Sequence, residues 1–384
     1  MTPDLRFADN SARLSEFIRS SASQNSPDVT GSIPDEDEAR FNELALELFA
    51  LQYESNPPYQ RFCANNDVTP GSIRSWQDIP SIPVSAFKEM EITSLPPKER
   101  SKVFLSSGTT EQRPSRHFHS GQSLQVYETS LLAWFRTHWI GESASATKDP
   151  LLRLPLIILT PPPALAPHSS LVHMFECIRG AFGSAESAFM GTVDKHLAWV
   201  LDERRIHEAL EEAVVLDRPI GMLGTAFNLV HLLDYLTELG IEHRLPAGSR
   251  VIETGGYKGR SRSLSKRELY SSVTQSLGIP PSHIISEYGM SELSSQAYDR
   301  RAGGQNRERC FHFPPWARVQ IVSPETGREV GEGEAGLIRV HDLANVRSAL
   351  AIQTEDLGVR SGAGFAFLGR VADSEPRGCS LMAV

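Results

Sequence analysis

Apolar residues recur with helical spacing between Asp35 and Asn56, where Phe41, Leu44, Leu46, Leu48, Phe49 and Leu51 are separated by acids and polar residues. That pattern predicts an amphipathic helix. Residues 57–100 are proline-rich and read as an irregular wrap over a core, with DIPSIPVSAFKEM as the longest apolar piece. KVFL predicts a short strand running into SSGTT, and 120–140 predicts a helix. LPLIIL reads as a buried strand stopped by three prolines, followed by a helix over 193–213. PIGMLGTAF predicts a strand feeding a helix over 227–239. SRVIET is another strand, ending on paired glycines, and SKRELYSSVTQSL is a helix closed by Gly278. HIISEY is the next strand. Strands alternating with helices predict a parallel sheet and an α/β fold. From residue 316 the texture changes: ARVQIV, GLIRVHDL, LAIQTEDLG and GAGFAFLGR are strand-like with tight turns between them, which predicts an antiparallel β subdomain. The expected division is a partly mobile leader over 1–40 (mobile from Ser20 to Pro34), an α/β core over 41–315, a β subdomain over 316–370 and a tail over 371–384.

Composition narrows the function classes. A chain of 384 residues with 40% hydrophobic and 22% charged residues is long enough to fold around its own core. Its 38 Lys+Arg against 47 Asp+Glu give a net charge of −9, which argues against a general nucleic-acid or anionic-membrane binder. A local basic pocket for phosphates is still compatible with it. The four cysteines, Cys63, Cys177, Cys310 and Cys379, form no C-x-x-C pair, which excludes a disulfide framework and a zinc ribbon. A reducing compartment, the cytoplasm, is the expectation. The N-terminus carries early acids and lacks the apolar segment of a secretory signal, and the most apolar stretch, Leu154 to Ala166, is broken by prolines. No membrane span is expected.

Several common motifs are missing or misleading. No phosphate-loop lysine motif, G-x-S-x-G elbow or H-E-x-x-H is present. Gly331-Glu-Gly-Glu-Ala-Gly336 matches G-x-G-x-x-G, yet strands flank it on both sides and its two acids would repel a pyrophosphate, so it reads as a hairpin turn. Ser106-Ser107-Gly108-Thr109-Thr110 sets hydroxyls and a glycine directly after a strand, where hydroxyl and backbone donors can wrap phosphate oxygens. A solvated turn has the same composition. In Glu287-Tyr288-Gly289-Met290-Ser291-Glu292 a carboxylate follows the end of a buried strand, where ligands bind in α/β sheets. Glu292 there suits a magnesium ion or a helix N-terminus, and Tyr288 suits a stacked base or a packed core. Asp356, in Thr354-Glu-Asp-Leu-Gly358, is expected in a turn between strands. It can accept from ribose hydroxyls or simply close that turn, and Arg370 follows fourteen positions later. His117 and His119 alternate with Phe118 on one strand face and read as packing.

The order SSGTT, GG, EYGMSE, GEAG, TEDLG, GR resembles the acyl-adenylate-forming superfamily, which includes acyl-CoA synthetases. ETGGYKG at 253–259, EYGMSELSSQAYD at 287–299 and RGCSL at 377–381 look like its acyl-protein synthetase, LuxE-type, branch, and the likeness runs from about Phe41 onward. The resemblance implies an α/β fold with a large N-terminal adenylate-forming, acyl-CoA-synthetase-like domain and a C-terminal β subdomain, without the usual C-terminal lid domain. It implies ATP and Mg2+ as cofactors and a carboxylic, fatty acid as substrate. Ser106, Ser107, Gly108, Thr109 and Thr110 would hold phosphates, Glu292 magnesium, Gly255 and Gly256 with Tyr288 the adenine and acyl pocket, and Asp356 with Arg370 the ribose. Glu111 departs from the pattern, as does the absence of a lysine after it; Arg113, Arg116 or Lys258 would replace the missing cation.

Cys379 lies beside Arg377, a setting that favours a thiolate. By its spacing from the GR motif it resembles the branch's acyl acceptor, and an acyl-reductase protein would then consume the thioester. Cys63, Cys177 and Cys310 sit among apolar residues and are expected in the core. Two further readings fit the same residues: an acyl-CoA or acyl-carrier ligase similar to phenylacetate–CoA ligases, and a non-catalytic nucleotide or acyl-AMP binder.

Overall fold

A computed structural model describes residues 2–23, 35–106, 113–141, 152–196, 198–255, 264–304 and 308–371. Nine of the residues singled out above, Ser107, Gly108, Thr109, Thr110, Glu111, Gly256, Lys258, Arg377 and Cys379, lie outside the described residues.

The early chain is helical: α1 (Pro3–Ser23), α2 (Asp35–Ser55), α3 (Pro57–Asn65) and the short α4 (Ala86–Glu89), with the two-residue strand β1 (Ile82–Pro83) between the last two. A hairpin of β2 (Lys102–Leu105) and β3 (Arg116–His119) then leads into α5 (Gly121–Ile140). The leader contributes more than expected. α1 buries Phe7, Leu14, Phe17 and Ile18, and it packs along α5.

The α/β core is built on β4 (Leu156–Ile158), β5 (Ala188–Phe189), β8 (Gly221–Thr225), β9 (Arg250–Thr254), β10 (Ile284–Tyr288) and β11 (Ala297–Tyr298), ordered β11-β10-β9-β8-β4-β5. All neighbours run parallel except β10 and β11. Ile157, Met222, Val251 and Ile284 lie in register and face α7 (Glu203–Val215), α8 (Ala226–Glu238) and α9 (Lys266–Leu277). Their neighbours Ile158, Leu223, Ile252 and Ile285 face the opposite cluster, which includes α5 and α6 (Ser170–Phe182). A strand covered on both faces needs an unbroken apolar run, which is why these segments show no polar alternation. α9 starts on a capping box between Ser265 and Glu268 and stops at left-handed Gly278.

Two expectations need correction. The predicted helix over 193–213 begins only at Glu203. Before it lie β6 (Gly191–Val193) and β7 (Trp199–Leu201), an antiparallel pair, and Asp202 caps the helix that follows. Thr192, Val193 and Val200 favour extended backbone, and their pairing outweighs the weak helical periodicity there. The second correction concerns Asp356, which lies inside a strand. β14 (Ala351–Ser361) is flanked by β13 (Ala335–Asp342) and β15 (Gly364–Arg370), and β12 (Ala317–Val322) adds beyond β13. Within β14, Thr354, Asp356 and Gly358 face inward while Glu355 is exposed, the alternation of a paired strand. The turn comes later, at Gly362. The predicted antiparallel sheet is otherwise present, with one addition: β1 pairs in parallel with the edge of β14, Ile82 opposite Ile352. α2 also braces this region. Its buried Gln52 donates to the Asn345 carbonyl at 2.7 Å and accepts from the Leu350 amide at 2.9 Å.

Candidate active site

β9 and β10 run side by side with Thr254 opposite Glu287, so both chains leave the sheet at its C-terminal edge. Gly255 follows with φ +69°, and among the described residues no atom lies within 4 Å of where a Cβ would stand. The left-handed backbone favours glycine. The Thr254 hydroxyl donates to the Glu287 carboxylate. Burial lifts the Glu287 pKa to about 7; the Thr254 bond and Lys266 oppose this rise and Glu253 adds to it. A Cβ on Gly289 would run into the Glu287 Oε1, so a larger residue there would have to displace that carboxylate. Lys266 is tied to the buried Glu253 at 3.2 Å, and Tyr270 donates to the same carboxylate at 2.7 Å.

The neck of the hydroxyl loop meets the end of the β10 motif. Ser106 donates its amide to the Ser115 carbonyl at 3.2 Å, and the Ser115 amide donates to the Ser106 Oγ at 3.0 Å. The Ser115 hydroxyl donates to Oε1 of buried Glu292. Ser291 Oγ donates to the Leu105 carbonyl at 3.3 Å, and His117 Nδ1 donates to the Ser291 carbonyl at 2.9 Å. Burial pushes His117 down to about 4, so it is neutral at ordinary pH and works as a strut. His119 stacks beside it at 4.3 Å, on the same strand face as expected. From the other side, Asn345 donates to the Glu292 carbonyl at 3.0 Å. Buried Asp342 accepts from the amides of Ser294, Ser295 and Ala344 and from the Ser295 hydroxyl, all within 3.0 Å.

The antiparallel sheet supplies the third component. Asp356 and Arg370 are direct cross-strand partners, and Arg370 Nε donates to Asp356 Oδ1 at 3.0 Å. The Tyr288 hydroxyl donates to Asp356 Oδ2 at 2.8 Å. The Tyr288 ring, 8% exposed, sits among Phe311, Phe313, Phe365 and Phe367. Burial lowers the Arg370 pKa, but Asp356 outweighs it with help from Tyr288 and Glu292, leaving a net rise. Glu292 and Asp356 therefore act on the same guanidinium.

Six of the predicted site residues, Ser106, Gly255, Tyr288, Glu292, Asp356 and Arg370, thus gather at one sheet edge. Sequence reasoning missed Ser115, Thr254, Asp342 and Asn345. Ser115 carries one usable signal, since a hairpin closed on Ser106 brings it alongside that residue. A carboxylate among hydroxyls is an oxygen-only donor set, suited to a hard divalent cation, while the guanidinium and glycine-bounded space suit an anionic nucleotide.

The sequence profile described as "Acyl-protein synthetase, LuxE" matches residues 185–383. The long-chain-fatty-acid–luciferin-component ligase of Aliivibrio fischeri is 22% identical over 320 residues, covering 83% of this chain and 78% of that protein. The enzyme of the same name from Vibrio harveyi is 20% identical over 347 residues, covering 88% and 85%. Among solved structures, 2-hydroxyisobutyryl-CoA ligase in complex with 2-HIB-AMP and CoA in the thioesterification state superposes with a TM-score of 0.63 at 15% identity, covering 91% of this chain and 74% of that one. Its open conformation gives 0.62 at 14%, covering 91% and 81%. These likenesses establish the fold as that of adenylate-forming ligases, an acyl-CoA-synthetase-like α/β architecture. With a profile match across more than half of its length, the chain belongs to the LuxE acyl-protein synthetase family.

Proposed function

We propose that this protein activates a carboxylic acid, of the fatty type, with ATP and Mg2+, and then carries the acyl group on Cys379 as a thioester. The single observation behind this reading is the convergence of Ser106, Glu292, Asp356 and Arg370 on one sheet edge, residues separated by up to 264 positions in the chain. The names of the two curated relatives support a long-chain fatty acid as the substrate class.

In this reading Asp356 accepts from the ribose hydroxyls, held in place by Tyr288 and Arg370. Ser106 and its successors Ser107, Gly108, Thr109 and Thr110 grip the phosphates. Gly255 and Gly256 let the backbone approach the base beside the Tyr288 ring. Glu292, oriented by Ser115, holds the magnesium ion, which when bound neutralises charge on the phosphates. The substrate carboxylate attacks the α-phosphorus, the bond to pyrophosphate breaks, and acyl-AMP forms. Positioning and charge neutralisation carry most of such a reaction. The Cys379 thiol then loses its proton to solvent, its sulfur attacks the acyl carbon, and AMP leaves with the bonding electrons. An acyl-reductase protein is the proposed consumer of the thioester.

The test is acid-dependent pyrophosphate release across a panel of acids, combined with intact-protein mass spectrometry. The wild-type chain should gain the mass of one acyl group. Cys379→Ser should keep pyrophosphate–ATP exchange and lose the adduct. An adduct that persists in Cys379→Ser overturns the acceptor role, and no acid-dependent exchange with any acid overturns the activation itself. A second reading, transfer to coenzyme A, is favoured by the fold shared with a CoA ligase; acyl-CoA formation by Cys379→Ser would establish it.

A further inference from the structure

Beside the β2–β3 hairpin, α5 and α6 bring three metal-ligating side chains together. His173 and Cys177 are four positions apart on α6 and project from the same face. Glu128 reaches across from α5, its Oε1 3.0 Å from His173 Nε2. The Cys177 Sγ is 3.7 Å from that same nitrogen, and the three donor atoms all lie within 4.8 Å of one another.

The choice of nitrogen is informative. In a nucleophilic triad the acid holds Nδ1 and the nucleophile approaches Nε2, so the imidazole relays a proton between two faces. Here the carboxylate and the thiol both address Nε2, so the ring does not relay a proton from one to the other. A cation between them serves all three. Ligand bonds of about 2.0–2.3 Å to a tetrahedral centre put donor atoms roughly 3.3–3.7 Å apart, and the observed separations approach that range with small side-chain rotations. A Cys, His and carboxylate set matches the borderline-soft preference of zinc. All three residues are half-buried, which leaves room for a water as fourth ligand.

We propose that Glu128, His173 and Cys177 bind one Zn2+-type divalent ion that fastens α5 to α6. Binding breaks the Cys177 S–H bond, releases that proton to solvent and forms the metal–sulfur bond with no change of oxidation state. The His173 ring rests against Phe104, 5.3 Å between centroids, and Ser170 at the start of α6 is 3.4 Å from Ser291. A metal here would therefore stiffen the wall that carries β2 to Ser106.

The test uses the full chain with Cys379→Ser, which removes the tail thiol from the count. After chelator stripping it is titrated with Zn2+ by calorimetry and with Co2+ by absorption. The expected result is one ion per chain with a Kd below about 1 μM, and a thiolate-to-cobalt charge-transfer band. Cys177→Ser should abolish the band and weaken Zn2+ binding at least about tenfold, as should His173→Gln; Cys177→His should restore binding without the band. Substoichiometric binding by the parent, or unchanged affinity and band in Cys177→Ser, overturns the site. Should Cys177→Ser fail to fold, Zn2+ protection of Cys177 from alkylation, read by peptide mass spectrometry, decides: a shielded Cys177 supports the site and an unshielded one overturns it.

Discussion

The two sheets contribute to the site in different ways. The parallel sheet contributes its end: the backbone leaves β9 and β10 through glycines, and polar groups follow once the apolar strand has stopped. The antiparallel sheet contributes its middle. Asp356 lies midway along β14 and pairs with Arg370, the last residue of β15, and the ladder shifts register between Leu357 and Gly358 next to them. In the first case function is added after the strand. In the second it interrupts the strand, and irregular pairing beside the functional residue accommodates it. Edge geometry should therefore govern backbone shape and stability, while the mid-strand pair should govern ligand affinity.

The sharpest way to break this contrast is Asp356→Ala. It removes an acceptor shared by Tyr288 and Arg370, two bonds worth roughly 1.5–3 kcal/mol each where a charge takes part. Pyrophosphate–ATP exchange should fall by about a hundredfold or more, chiefly through the KM for ATP, with the far-ultraviolet circular dichroism unchanged. Wild-type exchange in that variant would remove the antiparallel sheet from the site.

A smaller effect is expected from Glu287→Gln, read as stability against pH. The Glu287 pKa is raised in the folded state, so its contribution is complete below the unfolded value near 4.5 and is lost as pH climbs through about 7. At pH 8 the wild-type chain carries a buried charge that glutamine avoids. The variant should gain on wild type by up to about 3 kcal/mol between pH 5 and pH 8, measured by urea unfolding at the two values. A difference that stays constant with pH would show that Glu287 ionises freely. The smallest change is Gly255→Ala, which should cost about 1 kcal/mol because alanine resists a positive φ. Since a Cβ there meets no atom of the described residues within 4 Å, ATP affinity should change far less than in Asp356→Ala. A larger affinity loss in Gly255→Ala than in Asp356→Ala would invert the comparison.

What the sequence reveals follows the same divide. RVIET and HIISEY are readable as parallel strands because each holds an adjacent apolar pair, Val251-Ile252 and Ile284-Ile285, that fills both faces at once, and glycines mark where each one ends. The α9 boundaries are readable because Ser265, Glu268 and Gly278 carry local chemistry. α1 is less readable, since its buried positions are diluted by Ser, Asp and Asn and gain meaning only against α5. Asp356 misleads because an acid followed by Leu-Gly has the composition of a turn, and only pairing on both sides makes it a strand. Ser115 and Asp342 serve the site through partners 177 and 47–48 positions away, which no local pattern encodes.

The pairing of β1 with β14 has a consequence for how this protein is made. Two residues released early from the ribosome, Ile82 and Pro83, must wait for Ile352 and Gln353 before they acquire a neighbour. Until then the first part of β14, beyond the stretch that β15 covers, presents bare amides and carbonyls on that side, a short template on which foreign strands add. A recombinant fragment starting near residue 316 would lack its missing rail permanently and is expected to self-associate, whereas supplying residues 57–100 in trans should keep it dispersed.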